Sequence, residues 1–419
     1  MRTKIGRHQS GTTVLMASIL ATLANWAAAQ TPALPGVPVA ARGISVQVVA
    51  SGLEDPRGLA FGPDHRLYVA EAGTVQGTFV PPPPPAPTEP PTRTRCEVYW
   101  PAGPATPGYT GRVSRVNRDG GFTVIADGLP SFAANNLIGG DRIGAAGVAF
   151  RGERLYTVVG GGGCSHGHPS EPNALYRIYR DGSTVAITDL SNYLRSNVDS
   201  KPPTDADFEP DGVWYNLVRA FGGFYTTEPN HGAIVRIEND GAITRSADLI
   251  AAVRAIDHDG DHTYSALTKH RGALFVGTLG RINDNFSGAV YRVSRDLSSV
   301  QLVVSGLHGV LGVAFDRRNR MYVLETTAAG VTPPFSDPTA GRLVRVERNG
   351  SLTPIVRNLT FPSALIAGAD GEFYISNCGY HCDDRSGFPP TLTSLKAGQI
   401  LRVHMEDSDA EFESENDDK

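Results

Sequence analysis

GLEDPRGLAFGPDHRLYVAEAG (residues 52–73) contains two short apolar runs, GLAF and LYVAE, separated by the tight turn PDHR. After an insertion the chain continues as GRVSRVNRDGGFTVIADGL (111–129): a third run with alternating faces, the hairpin turn NRDGG, and a fourth run, FTVIA. Asp and Gly in these turns supply the positive φ angles that short hairpins require. Four short strands joined by tight turns form one repeating unit.

The unit returns five times, at spacings of roughly 40 to 55 residues where no loop is inserted. The copies are AAGVAFRGERLYTVVG (145–160) with ALYRIYRDGSTVAI (174–187), and DGVWYNLVRAFGGFYTTE (211–228) with GAIVRIENDGAITRSADL (232–249). SALTKHRGALFVGTL (265–279) with GAVYRVSRDLSSVQLVVSGL (288–307) and VLGVAFDRRNRMYVLET (310–326) with GRLVRVERNGSLTPIV (341–356) follow. The last copy, SALIAGADGEFYISN (363–377) with GQILRV (398–403), lacks a fourth strand, which GISVQVVASGL (43–53) can supply. The expectation is an all-β, six-bladed β-propeller over residues 45–405, with an N-terminal strand completing the last blade. Such closure removes two exposed sheet edges.

Basic Arg2, Lys4 and Arg7, the apolar run VLMASILATLANW (14–26) and small residues at Ala27 and Ala29 have the layout of a secretory signal peptide over residues 1–29. The apolar run is short for a bilayer span. The mature chain is expected to begin near Gln30 with a linker to residue 44, and to be periplasmic or extracellular, where its cysteines meet oxidising conditions. A net charge of -5 gives no footprint for nucleic acid. The acidic tail 406–419 has little to bury and is expected to be disordered. The proline-rich insertion at about 79–110 favours a stiff polyproline II flap, which is also a surface on which a protein partner could dock.

In a propeller the loops leading into each innermost strand, and those joining the second and third strands, open on one face. Here they hold Glu54, Asp55, Glu209, Asp211, the run DHDGDH (257–262) and His308, together with Glu71, Cys96, CSHGH (164–168), Glu228, His231, Glu325 and NCGYHC (377–382). An even cysteine count and neighbouring loops favour two disulfides, Cys96 to Cys164 and Cys378 to Cys382. The rival is a soft-metal site, with reduced Cys378 and Cys382 joining His381, His166 or His168 around copper or zinc. DHDGDH alternates carboxylates suited to Ca²⁺, but Thr268 stands where an EF-hand loop would place its closing Glu, and an acidic turn is the alternative. No G-x-S-x-G elbow occurs.

With its units aligned, the chain resembles the ScyD/ScyE family of exported propellers, through GLEDPRGLAFGPDHRLYVAEAG, GALFVGTLGRINDNFSGAVYRVSRD (272–296), GVLGVAFDRRNRMYVLE (309–325) and GEFYISNCG (371–379) followed by GQILRV. It departs from that family's third and fourth units, having FEPDGVW and HTYSAL where NP and P-T-S are usual. More distantly it resembles the SMP-30 and gluconolactonase propellers: Glu54, two residues before Pro56, and Asp211 in PDG look like two of their metal-binding carboxylates. That resemblance implies a small-molecule substrate and a divalent metal, Ca²⁺ or similar, polarising a lactone or ester carbonyl. Glu54, Asp211, Glu209 and His231 would be its ligands, and Asp257 or His258 the nearby acid or base. Two other readings stand beside it: a non-catalytic ligand- or protein-binding scaffold, and copper-dependent oxidative coupling in scytonemin-like secondary metabolism.

Overall fold

The computed structural model describes residues 35–75, 77–78, 106–133, 142–197, 199–203, 208–257, 262–280, 287–327, 338–379, 382–384, 391–394 and 396–405. Among them, each GLAF-like run forms the innermost strand of an antiparallel sheet, and six such sheets surround one axis as a β-propeller. Blade 1 comprises Pro56–Phe61, Leu67–Glu71, Thr106–Val116 and Phe122–Ala133, with Arg142–Ile143 added at its edge. Blade 2 is Ala145–Arg151, Arg154–Val159, Ala174–Ile178 and Thr184–Asp189; blade 3 is Leu217–Ala220, Gly223–Glu228, Ala233–Ile237 and Ile243–Asp248. Blade 4 is Tyr264–His270, Ala273–Thr278, Ser287–Ser294 and Val300–His308; blade 5 is Val310–Phe315, Met321–Glu325, Gly341–Val346 and Leu352–Leu359.

Blade 6 takes Ala364–Ala367, Phe373–Asn377 and Gly398–Met405 from the C-terminal part of the chain, and Ile44–Leu53 from the N-terminal part as its outermost strand. The last two run antiparallel, Ile44 opposite Met405 and Leu53 opposite Gly398. Part of the expected linker is itself structured: Val39–Ala40 pairs with the outer strand of blade 5, and the Gly36 N–H donates to Thr360 Oγ1 at 2.8 Å.

Side chains of the GLAF and LYVAE types fill the spaces between blades. Tyr225, Ile234, Leu267, Leu274 and Tyr291 pack between blades 3 and 4, and Tyr322, Leu343, Phe373 and Leu401 between blades 5 and 6. Each such side chain contributes about 1.5–3 kcal/mol on burial. Nearer the axis the backbones almost touch. A Cβ on Gly147 would lie 2.5 Å from Leu217 N, so a glycine there lets blades 2 and 3 converge.

Two short helices were not legible as such. Leu190–Ser196 follows the outer strand of blade 2, with Asp189 accepting the Asn192 N–H at 2.7 Å as its N-cap. Leu249–Asp257 follows the outer strand of blade 3, so Asp257 ends a helix rather than opening a loop. Both bury their leucines against the blades and set the loops leading into blades 3 and 4. No helix among the described residues is long and apolar enough to cross a membrane.

Candidate functional site on the upper face

In four blades the second strand ends at the upper face in a buried polar residue that pins the incoming loop. In blade 1 the Glu71 carboxylate accepts the Glu54 N–H at 2.7 Å, Ser114 Oγ–H at 2.5 Å and Arg112 Nη2–H at 2.7 Å. In blade 5 Glu325 accepts the His308 N–H at 2.7 Å and is clasped by Arg342. Asn377 Oδ1 does the same for the Thr360 N–H in blade 6, at 2.8 Å. Blade 3 uses Glu228, which takes the N–H groups of Val213 at 2.6 Å and His231 at 2.5 Å.

The loops of blades 2 and 3 interlock around these pins. Asn173 accepts the Gly162 N–H at 2.7 Å and donates to the carbonyls of Asp211 and Gly212 at 3.0 and 2.7 Å. The run GGGGC makes that approach possible: Gly163 has φ 97°, and a Cβ there would collide with the Asp211 side chain. Asp211, fully buried, receives Ser165 N–H at 2.8 Å, Ser165 Oγ–H at 2.7 Å and Arg195 Nη1–H at 2.6 Å. Arg195 comes from the last turn of the helix Leu190–Ser196.

Two histidines lie in the same cluster, each with acceptors on both ring nitrogens. His166 places Nδ1 at 2.6 Å from Gly162 O and Nε2 at 2.9 Å from Glu209 Oε2, and stacks on Phe132 with ring centres 4.0 Å apart. His231 places Nδ1 at 2.9 Å from Asp199 Oδ2 and Nε2 at 2.8 Å from Glu209 O. A neutral imidazole has one N–H, so two acceptors favour the cation. Burial lowers both histidines, but the hydrogen bonds to Glu209 and Asp199 and the surrounding carboxylates prevail, and both sit above the usual imidazole range. Glu228 is pushed up by burial, against the pull of His231 and the two N–H groups.

The structure therefore brings together Glu209, Asp211 and His231, and adds His166, Asp199 and Arg195. Glu54 lies apart from that network, its carboxylate between Lys396 Nζ at 2.8 Å and Arg112 Nη1 at 3.2 Å. These carboxylates do not fit a divalent ion: Glu54 and Asp211 are already matched by lysine and arginine, and Glu209 is hydrogen-bonded to the His166 ring. Among the described residues no group of three or more His, Cys, Asp or Glu is arranged to hold a metal. Among these carboxylates only Glu209 has an oxygen, Oε1, with no hydrogen bond to a described residue, and the residue as a whole is 6 % exposed. The Asp257 side chain and all of His258 fall outside the described residues, as does the proline-rich segment 79–105.

At the axis, the upper end of the channel is filled. Tyr215 from blade 3 donates to Ser363 O of blade 6 at 3.2 Å, and buried Arg57 of blade 1 donates to Arg142 O at 2.6 Å and reaches Tyr215 Oη at 3.4 Å. Tyr215, Leu311, Phe361 and the bonded pair Cys378–Cys382 form one apolar cluster. NCGYHC is thus a staple in the plug, and its joined sulfurs offer no thiolate to copper or zinc. Cys164 is also disulfide-bonded; Cys96, its expected partner, lies outside the described residues. Below the plug a cavity of about 390 Å³ is lined by all six innermost strands.

No protein-family model matches the chain, and no curated protein matches it either. Among solved structures it is similar to a gluconolactonase from Xanthomonas campestris, with 12 % identity and a TM-score of 0.50 over 89 % of this chain and 98 % of that one. It is also similar to a putative oxidoreductase (glucose dehydrogenase) from Thermus thermophilus, with 16 % identity and a TM-score of 0.44 over 86 % and 100 %. At these identities the likeness is one of fold.

Proposed function

We propose that this chain is an exported binding propeller, of the kind the ScyD/ScyE resemblance implies, that takes a small polar molecule at the upper loops of blades 2 and 3. The observation behind this reading is Glu209: His166 holds one of its carboxylate oxygens, while the other is open to accept a ligand O–H or N–H. A metal-centred lactonase site finds less support, since Tyr215, Phe361 and the Cys378–Cys382 staple fill the axis and protein cations neutralise the carboxylates. The same oxygen favours a second reading, in which Glu209 acts as a general base on a lactone or ester, with the His166 ring orienting its carboxylate. Asp257 and His258 remain proposals for a nearby acid or base.

Titration of the purified chain with sugars, sugar acids and sugar lactones, alongside a hydrolysis assay with and without Ca²⁺, tests both. Binding without turnover, weakened tenfold or more by Glu209→Gln and unchanged by Glu54→Ala, is expected for the binding propeller. Metal-independent hydrolysis lost in Glu209→Gln would select the second reading. Hydrolysis that needs Ca²⁺ and disappears in Glu54→Ala would overturn both.

A further inference from the structure

The repeat supplies an internal standard for the lower face, where hairpins join strands one to two and three to four. A tyrosine in the second strand stands opposite an arginine in the third: Tyr68 and Arg115, Tyr156 and Arg177, Tyr225 and Arg236, Tyr322 and Arg345, Tyr374 and Arg402 in blades 1, 2, 3, 5 and 6. In blade 3 the tyrosine donates to Arg295 O and the arginine pairs with Glu238. In three of these blades, hairpin acids satisfy both residues. Tyr68 donates to Asp64 at 3.2 Å, with Arg115 at 3.9 Å from the same carboxylate. Tyr322 donates to Asp316 at 3.3 Å and Arg345 pairs with Glu347 at 2.7 Å. Tyr374 donates to Asp370 at 2.8 Å and Arg402 pairs with Glu372.

Blade 2 keeps the pair and loses the acids. Its first hairpin is Arg151, Gly152, Glu153, Arg154, and Glu153 turns outward to Arg180 at 2.7 Å, both side chains largely in solvent. Arg151 and Arg154 have no carboxylate partner among the described residues. Arg177 lies over the Tyr179 ring, 4.3 Å from its centre, and its buried Nε has no acceptor. Arg115 and Arg236 share that unbonded Nε, but each has an acid at hand, Asp64 or Glu238. Arg151, Arg154, Arg177, Tyr179 and Arg180 line one open groove of about 760 Å³, together with Glu153, which is paired with Arg180, and Asp181, which accepts from Ser183. Three of its four arginines thus have no carboxylate partner among the described residues. Repulsion among guanidinium groups so placed is relieved by an anion, and their planar forks match tetrahedral oxyanions.

We infer that this groove binds a tetrahedral oxyanion, a phosphate or sulfate group, with Arg151, Arg154 and Arg177 as donors. The site is on the opposite face from Glu209 and is independent of the function proposed there. Calorimetric titration of the full chain at low salt with inorganic phosphate, glucose 6-phosphate and sulfate tests it. The expected result is saturable one-to-one binding of phosphate or sulfate, weakened at least tenfold by the surface change Arg154→Gln and by Arg177→Gln. Arg292→Gln, at the equivalent position of blade 4 opposite Phe275, should leave it unchanged. A preference for the sugar phosphate identifies an ester as the ligand; equal affinity identifies the free ion. Absence of saturable binding, or an affinity that Arg154→Gln and Arg177→Gln leave as in the wild type, would overturn the inference.

Discussion

Glu228 and Ala233 face one another in blade 3 at the register position where blade 1 sets Glu71 against Arg112 and blade 5 sets Glu325 against Arg342. The blade 3 carboxylate is as deeply buried as the other two, yet it has no guanidinium partner. Its nearest compensation is His231, whose backbone N–H it accepts and whose ring lies between Asp199 and the Glu209 carbonyl, which raise it above the usual imidazole range. A histidine beside the carboxylate thus stands where two other blades have an arginine.

Stability should consequently fall as pH rises above neutrality. A histidine raised in the fold contributes fully below its unfolded value, about 6.5, and loses that contribution as pH passes through the folded value. His166 and His231 both behave this way, and Glu228, also raised, has the same sign from about pH 4.5 upward. His270, lowered by burial and Arg271, opposes them only up to its unfolded value of about pH 6.5 and adds no slope above it. Each proton involved gives a slope of at most about 1.4 kcal/mol per pH unit. Thermal unfolding from pH 6.5 to 9 should show a declining midpoint, and His231→Gln should flatten the decline. A midpoint that rises over this range would contradict the assignment.

Arg342→Ala should cost about 3–5 kcal/mol, because it strands the fully buried Glu325 without its cation. Arg112→Ala should cost less, since Glu71 keeps Ser114 and the Glu54 N–H. Urea unfolding of the two variants gives the comparison directly.

Gly147→Ala should destabilise by about 1–3 kcal/mol through overpacking, as its Cβ would press on Leu217 N and, at 2.8 Å, on Leu217 Cβ. Gly222, with φ 87° and open space around it, should suffer only the smaller backbone penalty of about 1 kcal/mol on the same change. Equal losses at the two sites would show that the innermost strands are not limited by contact.

Replacing Cys378 and Cys382 together by serine should cost about 2 kcal/mol from loop closure alone. Packing adds to this, because both sulfurs lie in the apolar plug with Tyr215 and Phe361. In the native protein these cysteines should resist reduction until denaturant is added, which a thiol titration with and without urea will record.

The blades were legible because a strand's alternation and a hairpin's Asp and Gly are local signals. Ile44–Leu53 was legible because a four-strand repeat with one member missing advertises the gap. The helices Leu190–Ser196 and Leu249–Asp257 are too short to show a period, and Val39–Ala40 is too short to show alternation. At the site, loop position alone placed Glu209, Asp211 and His231 on one face. Their partners depend on register and helix phase: Arg195 reaches Asp211 from a last helical turn, and Arg112 meets Glu71 only once their strands are aligned. One signal was available: a Gly-Arg pair, Gly111–Arg112 or Gly341–Arg342, stands in the third strand of the two blades where Glu71 and Glu325 have an arginine partner, whereas Glu228 is followed by Gly232–Ala233.

Because Ile44 lies opposite Met405, the two strands of the seam have these ends on the same side, the chain before Ile44 running on to pair Val39–Ala40 with blade 5. Tension applied through those ends would part the ladder one rung at a time, as a zipper opens, instead of loading all its bonds in shear. A ring that is hard to melt can therefore be easy to pull apart. A tether or a threading machine pulling on the chain before Ile44 would first have to strip Val39–Ala40 from the outer strand of blade 5.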